Sequence, residues 1–162
     1  LGSLHRLSER YERRRRVKKL AIVLLLVSAC HRTVVTGSPS AQLPGGATPS
    51  EALSRFMAAA KAQDLQAFAL VWGSKDGPVI QTMAKEDREM REITMLCYLK
   101  HDSYRIISQT PSTNNQHVFN VELKFKDLTR STNFFATLGP SNRWYVLKVD
   151  KMDPLRDICA SH

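Results

Sequence analysis

His117-Val118-Phe119-Asn120-Val121-Glu122-Leu123-Lys124-Phe125 decides the class of this fold. Phe119, Val121, Leu123 and Phe125 alternate with Asn120, Glu122 and Lys124. That period of two puts an apolar row on one face of a strand and a polar row on the other. Outward from it the same pattern recurs from Tyr104 to Ser108, from Ser131 to Leu138 and from Trp144 to Val149. The intervening Pro111-Ser112-Thr113-Asn114-Asn115, Lys126-Asp127-Leu128-Thr129 and Gly139-Pro140-Ser141-Asn142 are short and rich in turn formers. A meander of four antiparallel strands is expected.

Upstream of His101-Asp102 the period becomes helical. Thr48 suits an N-cap, Pro49 the first helical position and Glu51 a capping box. Leu53, Phe56, Met57 and Ala60 then recur at helical spacing, giving one buried stripe. Asp64 caps a second helix from Leu65 to Trp72, stopped by Gly73, and Ser74-Lys75-Asp76-Gly77-Pro78 reads as a loop. Val79, Ile80 and Met83 open a third helical region, whose apolar stripe Met90, Ile93 and Cys97 continue after a break near Ala84. Helices first and strands after is the α+β class, with N-terminal helices packed on a curved four-stranded antiparallel sheet.

This order over residues 49–150, with the Gln63-Asp64-Leu65 turn between two amphipathic helices, resembles the NTF2-like and cystatin-like cone fold. The resemblance implies helices stacked over the sheet and a site inside the cone. Because that fold hosts enzymes, transport factors and inert assembly domains, it does not by itself imply a function.

The chain's formal charge of +9 invites a nucleic-acid reading until it is located. Residues 1–30 hold eight Lys or Arg against two acids, so this leader carries +6 of the total. No nucleic-acid partner is expected, and Lys124, Lys126, Arg130, Arg143 and Lys148 read as a solvated, mildly positive sheet face. Within the leader, Arg13-Arg14-Arg15-Arg16-Val17-Lys18-Lys19 precedes an apolar run from Leu20 to Val27. That run is too short for a span of roughly 20 residues but suits a signal core of about 7–15. The first methionine is Met57, so the chain reads as a fragment, as a non-AUG initiation or as a start placed too far upstream, and the long charged start favours the last two.

Val27-Ser28-Ala29-Cys30 resembles the bacterial lipobox: an aliphatic residue, two small residues and a cysteine. The resemblance implies cleavage of residues 1–29 as a signal peptide and lipidation of Cys30, with diacylglycerol on sulfur and an acyl chain on the new amino terminus. It further implies an anchor in the cell membrane or outer membrane, with the domain facing the periplasm or exterior. A plain secretory signal cleaved after Ala29 and a short uncleaved anchor are the alternatives. Residues 30–48, rich in Thr, Ser, Pro and Gly, read as a flexible tether, and residues 49–162 as the domain with a C-terminal tail.

In an exported domain the remaining pair Cys97 and Cys159 reads as a disulfide. The alternative is a core Cys97 and a tail thiol at Cys159. Trp72, Tyr98, His101, Asp102 and Tyr104 are candidates for a pocket, but Lys100-His101-Asp102-Ser103 is equally a helix end and turn. Catalytic residues are therefore expected to be none. No His, Cys, Asp and Glu spacing suits a metal and no glycine-rich phosphate loop is present, so no cofactor is expected. The function that fits is a membrane-tethered, non-enzymatic module binding an unknown protein or an apolar ligand. The alternative is a small isomerase- or hydrolase-like enzyme using His101, Asp102 or Tyr104 in the cone.

Overall fold

A computed structural model describes residues 43–160; the leader, Cys30 and the tether up to residue 42 lie outside the described residues. Helix α1 runs Pro49–Ala62. Its Thr48 cap accepts the Glu51 amide at 3.1 Å, and Ala52, Leu53, Phe56, Met57, Ala59 and Ala60 are buried. Gln63, with φ of 55°, ends the helix in the left-handed region. Its Nε2 donates to Ala60 O at 2.6 Å and Leu96 O at 3.0 Å, which ties the helical turn to a later helix. Asp64 then caps α2 (Leu65–Val71), its Oδ1 accepting the amides of Gln66 and Ala67 at 3.0 Å each.

Two-residue strands β1 (Gly73–Ser74) and β2 (Gly77–Pro78) form the hairpin read as a loop, and α3 (Val79–Thr82) follows. The chain breaks at Met83-Ala84, as expected, before α4 (Lys85–Tyr98). Strands β3 (Ser103–Ser112), β4 (Gln116–Phe125), β5 (Leu128–Leu138) and β6 (Trp144–Asp150) make an antiparallel sheet in the order β3-β4-β5-β6. A helical turn at Asp153–Leu155 leads into the short α5 (Arg156–Ala160). The described residues are thus α+β with a four-stranded meander.

The inner sheet face carries Phe119, Val121, Leu123, Phe134 and Ala136, and α1 and α2 bring Phe56 and Phe68 against it. The Phe56 ring lies 4.4 Å from Phe68 and 6.1 Å, edge-on, from Phe134. Phe56, Phe68, Phe119 and Phe134 are all fully buried between the helices and the sheet.

Three sequence expectations need correction. Strand β3 continues through Pro111 and Ser112, read as a turn; proline is tolerated because β3 is an edge strand. Residues 43–48, assigned to the tether by composition, belong to the fold. Gly46 and Trp144 exchange two backbone hydrogen bonds of 2.8 Å, and Arg143 holds Pro44 O and Gly45 O. Arg55 also donates to Leu43 O at 2.9 Å and to Gly45 O. Finally, α4 is turned the other way. Met90 and Ile93 are 73% and 59% exposed, while Arg88, Glu92 and Leu96 are buried. The opposite face wins because Arg88, Glu92, Leu96 and Leu99 share one stripe, and the two leucines are buried to 3% and 0%.

Candidate functional site

Cys97 and Cys159 are joined, with sulfurs 1.94 Å and Cα atoms 4.9 Å apart across 62 positions. The bond fastens α5, with its buried Ile158, to the end of α4. It also fixes the rotation of α4, because Cys97 must face the tail while Leu96 and Leu99 face inward. One flank of α4 is left as a wall of an open groove.

That groove encloses about 440 Å³ between Met90, Arg91, Thr94, Met95 and Tyr98 on α4 and Trp72 and Met152 opposite. Trp72 stands at the end of α2, where its amide closes the last turn on Phe68 O at 2.9 Å. Its backbone also bridges to Val146 of β6, which fixes the indole as groove wall. Met152 lies between β6 and the Asp153–Leu155 turn. Four of the seven lining residues are Met or Trp, which present large, polarisable apolar surface.

A second hollow of about 370 Å³ lies between α1 and the start of β3, lined by Ser54, Met57, Ala58, Lys61, His101, Asp102, Ser103 and Tyr104. The five residues read from the sequence as one pocket are therefore divided. Trp72 and Tyr98 line the groove at α4; His101, Asp102 and Tyr104 line the hollow at α1.

In the hollow the polar groups have structural work. His101 is 5% exposed, and its Nδ1 lies 2.8 Å from Leu99 O. A carbonyl can only accept, so Nδ1 carries a proton. Burial pushes the imidazole below its ordinary value and the Lys61 charge adds to the drop, while the Leu99 bond and Asp102 pull the other way. The Tyr104 ring meets it edge-on at 5.7 Å. Asp102 Oδ2 accepts the Lys126 amide at 2.7 Å, and Asp102 O accepts from Lys61 Nζ at 2.6 Å. Asp102 is a turn residue joining the start of β3 to the β4–β5 turn, and an acid–base role draws no support from these bonds.

The most perturbed carboxyl is one the sequence did not single out. Glu92 is 1% exposed, and burial pushes it up to about 7 against the pull of Arg88. It lines neither hollow. Arg91, Met95 and Met152 were likewise missed. Residues 90, 91, 94, 95 and 98 share one flank of a helix, a signal visible only after the buried stripe is known. Among the described residues no group of three or more His, Cys, Asp or Glu could hold a metal ion. Among the same residues no helix is long and apolar enough to cross a membrane. Comparison with protein-family models, curated proteins and solved structures finds no match to this chain.

Proposed function

We propose that this chain is a bacterial lipoprotein, anchored through acyl chains on Cys30, whose NTF2-like domain is a non-enzymatic binding module on the periplasmic or outer side of the membrane. The anchor reading is supported by the basic run, short apolar core and Val27-Ser28-Ala29-Cys30 in series. The fold reading is supported by helices that precede and cover a four-stranded meander. One observation carries the binding reading: α4 turns Met90 outward beside Trp72, Met95, Tyr98 and Met152, and no carboxylate lines that groove. Exposed apolar concavities with few polar groups are where ligands and partners bind.

Intact mass of protein extracted from its own membranes tests the anchor. The expected species begins at Cys30 and carries diacylglyceryl and N-acyl groups; an unmodified terminus elsewhere overturns it. For binding, a photo-crosslinker at position 90 should give a discrete adduct in those membranes. An adduct no stronger than from exposed Lys75 overturns the binding reading.

A further inference from the structure

Arg91 stands apart from the other arginines. Arg55, Arg88, Arg105, Arg130, Arg143 and Arg156 each hold a carbonyl or a carboxylate. Arg91 alone among the described arginines has no hydrogen bond or ion pair, and Asp87, one turn before it, does not reach it. Yet Arg91 is the one charged residue lining the groove of Trp72, Met95, Tyr98 and Met152. A volume of about 440 Å³ falls within the range of small-molecule sites, roughly 300–1,000 Å³.

We infer that this groove binds a single-chain anionic amphiphile, a fatty-acid carboxylate, with its alkyl chain along the Trp and Met wall and its head on Arg91. The inference rests on the binding reading above and names the ligand class of the same groove. Both halves of the ligand are dictated by the site. An alkyl chain gains from leaving water against flexible thioethers and an indole, which adapt to an unbranched shape. A carboxylate matches the planar guanidinium fork in two parallel bonds, at the edge of an apolar surface where the pair is better shielded than in open water. With no acid among the lining residues, a cationic head would find Arg91 and no carboxylate in the groove.

The test is calorimetric titration of the full chain, unlipidated through Cys30→Ser, with sodium dodecanoate below its micellar concentration at pH 8. Saturable one-to-one binding is expected, weakened about tenfold by Arg91→Gln and only partly restored in Arg91→Lys, which keeps the charge but not the two parallel bonds. Met90→Asp, at a side chain exposed enough to leave the fold intact, should abolish it. Circular dichroism confirms that each variant is folded. Equal affinity for dodecyltrimethylammonium, or no loss in Arg91→Gln, overturns the role of the charge and with it the proposal. Binding seen only with phosphatidylglycerol vesicles, or concentration-dependent dimers that Met90→Asp dissolves, makes the occupant a bilayer or a second copy and also overturns it. If dodecanoate fails while the crosslink from position 90 persists, this inference falls and the binding reading stands; loss of both removes the binding reading.

Discussion

Arg88 and Glu92 meet on the inner side of α4, Nε to Oε1 at 3.5 Å, with side chains 10% and 1% exposed. Neither of these two atoms has a hydrogen-bond partner, so the pair is close without being well satisfied. Its position follows from the rest of the helix. Leu96 and Leu99 fill the core on the same stripe, and Cys97 faces Cys159. The rotation that satisfies all three carries two charges inward and Met90 outward.

A buried pair of this kind costs about as much in desolvation as it returns in attraction. Replacing both partners, as Arg88→Met with Glu92→Met, should raise stability by about 1–4 kcal/mol in urea unfolding at pH 8. Arg88→Met alone should lower it by about 3 kcal/mol at pH 8, by stranding the carboxylate, and by much less at pH 5, where Glu92 is protonated. In the native chain Glu92 has a raised folded value near 7 against an ordinary 4.5. The folded state therefore holds the proton more tightly, and this group's contribution is greatest below pH 4.5 and falls by up to about 3 kcal/mol as pH rises to 7. A Glu92→Met variant whose slope over that window matched the native chain would overturn the assignment.

His101 has the opposite sign. Its folded value is lowered, so the unfolded chain takes up the proton first and stability is lost as pH falls below the ordinary 6.5. By NMR, the His101 ring should titrate below the ordinary 6.5, with Nδ1 carrying the proton of its neutral form. His101→Gln should flatten the acid limb of the stability curve; an unchanged limb would assign the loss elsewhere.

Reducing the Cys97–Cys159 bond frees a loop of 62 positions. On chain entropy alone this should cost about 4 kcal/mol. It should also loosen α5, because Leu155 and Ile158 are buried with the bond's help. Thermal unfolding with and without reductant measures the first effect. Amide exchange at Ile158 reads the second: it should quicken well before that of Phe119 in the sheet, and equal rates would count against it.

Gly46 is packed without room for a side chain. A Cβ there would sit 2.3 Å from the Ala52 amide nitrogen, while the backbone is held by Trp144 on the other side. Gly46→Ala should lower stability by about 2–3 kcal/mol, because neither backbone can yield. A change under 0.5 kcal/mol would mean that residues 43–46 are loosely attached after all.

Sequence alone determined the class of this fold. The alternation from His117 to Phe125 and the caps at Thr48 and Asp64 are local signals, and local backbone chemistry honours them. The candidate site was less legible. His101, Asp102 and Tyr104 did come together, as neighbours in sequence must, but Trp72 and Tyr98 went to another groove. Only tertiary structure decided which face of α4 is buried, because Met90-Ile93-Cys97 and Arg88-Glu92-Leu96 both repeat at helical spacing. Periodicity measures that a helix has two faces; it does not say which one the neighbours cover. Here Leu96, Leu99 and the bond from Cys97 to Cys159 made the choice, and it put the charged pair inside and an apolar groove with Arg91 at the surface.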